Sequence, residues 1–144
     1  GELKDELKCM VSTQGTKNVV FKDYIQGEDL FKYVRNAAFT IIPSVWFETA
    51  GLVIYESFAL GKPVIGSNIG PIPELVENGS TGLLFDPGNA NDLAEKINYL
   101  IEKPELILEM GRTARMKIEE NYNSDIHYDG LMKVYEHVLN SKES

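Results

Sequence analysis

The stretch AFTIIPSVWFETAGLVIYESFALGKPVIGS, residues 38–67, decides the fold. It opens on Ala38-Phe39-Thr40-Ile41-Ile42-Pro43, a run rich in β-branched residues and closed by proline, which predicts a buried strand. Leu52 to Leu60 then reads as a short helix, apolar almost all round, and Gly61-Lys62-Pro63 ends it. Val64-Ile65-Gly66-Ser67 is the next strand. Strand, helix and strand in so short a space predict a parallel pair bridged by a crossover helix.

The same alternation continues on both sides. Upstream, Leu3, Leu7, Met10 and Val11 share a helical face, Asn18 to Lys22 reads as a short strand, and Glu28 to Asn36 as a helix with Leu30, Phe31 and Val34 on one side. Downstream, the turn-rich Asn68 to Pro73 feeds a short helix over Glu74 to Glu77, followed by the strand Gly82-Leu83-Leu84-Phe85. Three helices finish the chain, Asn91 to Glu102, Pro104 to Asn121 and Ser124 to Leu139. Stripes such as Leu93/Ile97/Leu100/Ile101 and Leu131/Val134/Tyr135/Val138 predict helix faces laid on a core. The expected fold is α/β, a three-layer Rossmann-like parallel sheet flanked by helices, in one domain over residues 1–144. Ile41-Ile42 should be central and Val64-Ile65 beside them. Four strands are fewer than doubly wound domains often have, which suggests a piece of something longer.

Composition narrows the function. With 43% hydrophobic and 25% charged residues the chain falls well outside the disordered regime. A net charge of -8 argues against nucleic acid as a partner, because phosphate-backbone affinity needs clustered Lys and Arg. One cysteine excludes an internal disulfide and fits a reducing compartment; Cys9, among Leu7, Met10 and Val11, is expected in the core. The N-terminal residues carry no signal pattern, and the Asn78-Gly79-Ser80 sequon is read as chance. The expected location is cytoplasmic, with the inner face of the membrane allowed. His127 and His137 stand ten apart in the last helix without other ligand-type neighbours, so no metal is expected.

Open α/β sheets bind ligands at the carboxyl ends of their strands, against helix N-termini. Here that place is Ser44 to Glu56. Gly51 would admit the chain into the helix, leaving amides of Ala50, Gly51 and Leu52 as donors at a positive helix end, with backbone close enough to cradle a phosphate. Glu56 is the only charge in that helix and stands over Leu52, leaning back towards the cradle. A carboxylate there can accept two hydrogen bonds from a vicinal diol such as ribose. On local pattern alone, Glu56 is equally a glutamate on the helix's one wet face, and Glu48 a solvated loop residue.

Glu48 and Glu56, seven residues between them, resemble the paired-glutamate signature of retaining group 1 glycosyltransferases, the glycogen-synthase-like enzymes of GT-B fold. Ile42-Pro43-Ser44, Gly51-Leu52-Val53, Ala59-Leu60-Gly61-Lys62-Pro63-Val64-Ile65, Gly70-Pro71-Ile72-Pro73-Glu74-Leu75-Val76 and Asn78 to Phe85 match in order and spacing, so the resemblance covers nearly the whole chain. It implies the C-terminal, nucleotide-sugar-binding half of such an enzyme, N-terminally truncated. The implied partner is a nucleotide-diphospho-sugar. The acceptor would be bound mainly by a preceding domain, which leaves room for peripheral membrane contact there, in polysaccharide or glycoconjugate synthesis.

The resemblance also implies roles. Glu56 would hold ribose hydroxyls; Glu48 would bind and orient the transferred sugar; Ala50, Gly51 and Leu52 would offer amides to phosphate or sugar. The base would lie along the end of the expected strand at Val20-Phe21, near Lys22 to Tyr24, with Tyr24 a candidate to stack on it. No cofactor and no metal are implied. Ala50 stands where the family usually has an aromatic residue, and the family's phosphate-binding Arg and Lys precede the matched region. Two other readings remain at this stage. A glycoside hydrolase would use two carboxylates flanking one bond, and a non-catalytic module could keep the scaffold alone.

Overall fold

The computed structural model describes residues 3–47 and 51–141. The described elements are α1 (Lys4–Thr13), α2 (Gly27–Asn36), β1 (Thr40–Ile42), α3 (Leu52–Ala59), β2 (Val64–Ser67), α4 (Ile72–Leu75), β3 (Gly82–Phe85), α5 (Ala90–Ile101), α6 (Pro104–Asn121) and α7 (Ser124–Asn140). The strands form one parallel sheet in the order β1-β2-β3, with Ile41 beside Ile65 and Ile65 beside Leu83. All three strands point the same way, so their carboxyl ends gather on one rim.

Strand alternation sorts the core into two layers. Ile42, Val64 and Leu84 face one side, where they meet Ile54 and Phe58 of α3, Ile72 and Leu75 of α4, and Ala114 and Ile118 of α6. Ile65, Leu83 and Phe85 face the other, against Leu93, Ile97 and Leu100 of α5 and Leu106, Ile107 and Met110 of α6. Helix α6 therefore serves both layers. It can do so because Gly111 lies on the Gly61 turn: a Cβ at Gly111 would stand 2.3 Å from the Gly61 carbonyl oxygen. Polar ties hold it there. Arg115 donates to the Ala59 carbonyl at the end of α3, and Lys117 Nζ reaches the Leu75 carbonyl at 2.9 Å and Glu77 Oε1 at 2.7 Å. Tyr55 and Tyr122 meet edge to face, ring centroids 4.9 Å apart.

The α/β parallel sheet flanked by helices is as expected, with four differences. Residues 18–22 are coil, not a strand, and Val20 is 74% exposed. A strand requires a neighbour to take its amides and carbonyls, and among the described residues that segment has none. The central strand is β2, all four residues buried, and β1 lies beside it; β2 alone has a pairing partner on each side. Cys9 is exposed, and neither α1 nor α7 buries a residue, so the stripes at Leu7/Met10/Val11 and Leu131/Val134/Tyr135/Val138 are apolar faces without a core beneath them. The short helix begins two residues early, at Ile72, because Pro73 fits its first turn.

Buried hydroxyls in the core are treated unequally. Thr40 Oγ1 donates to Ser57 Oγ at 3.0 Å, Ser57 donates to the Val53 carbonyl at 2.7 Å, and Thr81 Oγ1 accepts from the Glu77 amide at 2.9 Å. Ser67 Oγ, at the end of β2, is fully buried without a partner. An unmade bond of this kind costs about 1–3 kcal/mol. Ser67→Ala should therefore leave the urea midpoint unchanged or raise it, whereas Thr81→Val, which keeps the shape and strands the Glu77 amide, should cost about 1–3 kcal/mol. A loss from Ser67→Ala as large as that from Thr81→Val would refute the distinction.

Among the described residues three carboxylates are held below their ordinary pKa: Asp23 by the hydrogen bond from Lys4, Glu77 by that from Lys117, and Asp92 chiefly by the amide of Asp86 and then by Lys96. A group with a depressed folded pKa stabilises the fold above its unfolded pKa and loses that contribution as pH falls through the folded value. Stability should therefore stay level from neutral pH down to the ordinary carboxylate range and decline below it. Urea titrations across acid pH would measure this; a midpoint that rose on acidification below that range would contradict it.

Candidate functional site

The rim at the carboxyl ends of the strands is built around the β1–α3 connection. Strand β1 stops at Ile42, Pro43 follows, and Ser44 to Phe47 lead outward, with Trp46 69% exposed. Glu48 and Ala50, two of the residues expected to carry the site, lie outside the described residues. The chain is described again at Gly51, which is buried and caps α3 in the left-handed conformation, φ +58°. Among the described residues no side chain caps this helix, and the Gly51 carbonyl accepts from the Ile54 amide at 2.8 Å. The expectation that Gly51 marks a helix N-terminus is met, and the macrodipole of α3 points its positive end at this rim.

Inside α3, Ile54, Ser57 and Phe58 turn into the core, while Leu52, Val53 and Glu56 share the open face. Leu52 is 67% exposed. Glu56 is exposed one turn in, and among the described residues its carboxylate makes no ion pair or hydrogen bond. Gly51, Leu52 and Glu56 are thus brought together on one helix start, with the acid free to bind.

Tyr24 stands apart. It is 88% exposed on the coil before α2, its hydroxyl donates to Gln26 Oε1 at 3.2 Å, and no hydrogen bond among the described residues joins it to α3. Next to that coil is a hollow of about 510 Å³ lined by Ile25, Asp29, Lys32, Tyr33 and Asn36, with Lys22 Nζ 5.0 Å from the Tyr33 ring centre.

Two features at the rim escaped the reading of the sequence. A cavity of about 180 Å³ lies between Pro43, Phe85 and the start of α5 at Gly88, Asn89 and Ala90. An open cleft of about 620 Å³ runs from Asn68 and Phe85 along β3 to Glu95 and Lys96. The local signal for both was Asn89 three residues before Asp92, an N-cap pattern that starts α5 earlier than its apolar stripe does.

A sequence profile described as "Glycosyl transferases group 1" matches residues 1–117. The chain belongs to the group 1 glycosyltransferases. Among curated relatives of this family, an uncharacterized glycosyltransferase of Methanocaldococcus jannaschii is 33% identical over 94% of this chain and 38% of its own length. The spore coat protein SA of Bacillus subtilis is 31% identical over 83% of this chain and 32% of its own. In solved structures, sucrose-phosphate synthase from Thermosynechococcus elongatus superposes with a TM-score of 0.85 at 27% identity, covering 98% of this chain and 35% of that one. HepE of Anabaena, solved in complex with UDP and glucose, does so at 0.82 and 26%, covering 92% of this chain and 36% of that one. The chain thus spans about a third of the length of these relatives and solved structures.

The glycine that opens α3 is testable without a ligand. A Cβ at Gly51 would meet Leu75 Cδ1 at 2.9 Å, which a rotamer change relieves, so the cost of Gly51→Ala comes chiefly from its positive φ. The variant should lose about 1–2 kcal/mol of stability. Denaturation at equal slope would measure it, and an unchanged midpoint would show that α3 does not require the left-handed entry.

Proposed function

We propose that this chain is the part of a longer group 1 glycosyltransferase that holds a nucleotide-diphospho-sugar donor, for retaining transfer of a hexosyl or related sugar to an acceptor. The observation that carries the proposal is the start of α3: a left-handed Gly51 in the connection that follows β1, with Glu56 exposed and, among the described residues, unpaired one turn in. Support comes also from HepE, 26% identical, whose solved complexes contain UDP, UDP-glucose, and UDP with glucose. Family membership and sheet topology both agree with this use of the rim.

In this reading the Gly51 and Leu52 amides, with Ala50 before them, face the diphosphate or sugar. Glu56 accepts hydrogen bonds from the ribose diol, and Glu48 binds hydroxyls of the transferred sugar. Tyr24 and its coil border the base. The departing diphosphate takes the bonding electrons while oxocarbenium-like charge builds on the sugar, so the residues act by positioning and by stabilising charge rather than by forming a covalent intermediate. No metal is invoked. Residues outside this chain supply cationic contacts to the diphosphate and most of the acceptor site, the latter compatible with a peripheral membrane position on the cytoplasmic side. Among the described residues no helix is long and apolar enough to cross a membrane.

The two glutamates separate the steps. In the complete enzyme Glu56→Gln should weaken nucleoside diphosphate binding about ten-fold or more, since a charge-assisted bond is worth roughly 1.5–3 kcal/mol. Glu48→Gln should leave that affinity nearly unchanged, because the product lacks the sugar, and should instead lower turnover of the intact donor. Calorimetry with UDP, GDP and ADP, and kinetics with the matching donors, give the readouts. Equal losses of diphosphate affinity would end the division of labour, and a complete enzyme that binds none of the diphosphates would end the donor-site reading.

A further inference from the structure

Strand β3 pairs with β2 on one side only, so its other side is a sheet edge among the described residues. Such an edge offers unpaired amides and carbonyls to any passing strand, and a second copy of the same chain is the strand always at hand. Successive residues of a strand direct their backbone groups to alternate sides, so Gly82, Leu84 and Asp86 present theirs outward. Three of these outward groups are already engaged. The Gly82 carbonyl accepts from the Gly79 amide at 2.8 Å, within an isolated parallel bridge between Asn78 and Gly82. The Leu84 amide donates to Asn78 Oδ1 at 3.0 Å, and the Asp86 amide to Asp92 Oδ2 at 2.7 Å.

The two acceptors reach β3 from different elements, Asn78 from the turn before it and Asp92 from the first turn of α5. Asp92 is held in place, its own amide donating to Asn89 Oδ1 at 3.1 Å and its other carboxylate oxygen paired with Lys96 at 3.1 Å. The cleft of about 620 Å³ runs along this edge, lined by Asn78, Leu84, Asp86 and Asp92, so no helix or loop covers the strand there. Side chains close what the fold leaves open. We propose that Asn78 and Asp92 are edge guards, occupying the amides of Leu84 and Asp86 so that a second copy of this chain cannot add a strand along β3. Each guard blocks one amide; freeing either lets a strand begin to add, and freeing both strengthens the addition.

The test uses the complete enzyme and the variants Asn78→Ala, Asp92→Ala and the pair together. Amide exchange should quicken about ten-fold or more at Leu84 in the first variant and at Asp86 in the second, the price of roughly one hydrogen bond each. Light scattering across rising concentration should show the double variant self-associating at least about ten-fold more tightly than the parent. Adding Leu84→Pro to the double variant removes an outward amide, which an edge strand's ladder tolerates although the Leu84 core contact is given up, and should return association to the parent's level. Asn78→Asp keeps an acceptor and should behave as the parent does. A double variant that melts cooperatively yet stays as monomeric as the parent overturns the proposal, as does association that survives Leu84→Pro. Should the double variant fail to fold, each single variant must still associate more than the parent, and parent-like behaviour in both overturns it.

Discussion

The approach of two backbones at Gly61 and Gly111 is the constraint on which the rest of the core depends. Helix α6 contributes Leu106, Ile107 and Met110 to one layer and Ala114 and Ile118 to the other, and it passes between them at the amino end of β2. A side chain at Gly111 would meet the Gly61 carbonyl oxygen far inside contact distance. Interiors packed as densely as crystals give little way to such an intrusion. Lifting α6 would uncover both layers at once and pull Arg115 and Lys117 from the carbonyls of Ala59 and Leu75. Those carbonyls end α3 and α4, the two helices that border the carboxyl-end rim.

That rim is placed by the sheet rather than by the ligand. Parallel pairing puts the ends of β1, β2 and β3 on one side, and the buried face of α3 fixes where its first turn emerges. Gly51 solves the remaining local problem, a reversal from loop to helix that needs a positive φ. What the rim leaves exposed is then informative: Leu52, Val53 and Glu56 form a surface on which an acid stands among apolar neighbours. The chain covers about a third of the length of its relatives.

Legibility in the sequence followed how local each cause was. The bounds of β2, β3 and α6 could be read residue for residue, because Pro63, Asp86-Pro87-Gly88 and Pro104 mark their ends chemically. Residues 18–22 have a strand's composition but are not one, since strand formation is settled by a neighbour and not by the segment. The stripes of α1 and α7 were read as buried because periodicity says which face could be covered, never whether something covers it. At the site, Gly51 and the free Glu56 could be anticipated from one helix start. The side-chain bonds from Asn78 and Asp92 to β3 could not, being contacts between turns, a strand and a helix that no short pattern encodes.

Trp46 is the chain's single tryptophan, and it stands in the open loop that leads from β1 to the rim. Its indole already meets water in the native state, so unfolding changes its surroundings little. Emission from this chain is therefore a poor gauge of whether the sheet is intact, and far-ultraviolet dichroism serves that purpose better. The same placement makes the indole a sensitive optical reporter of anything that settles over residues 44–47. The chain carries its own probe of occupancy, separated from its probe of folding.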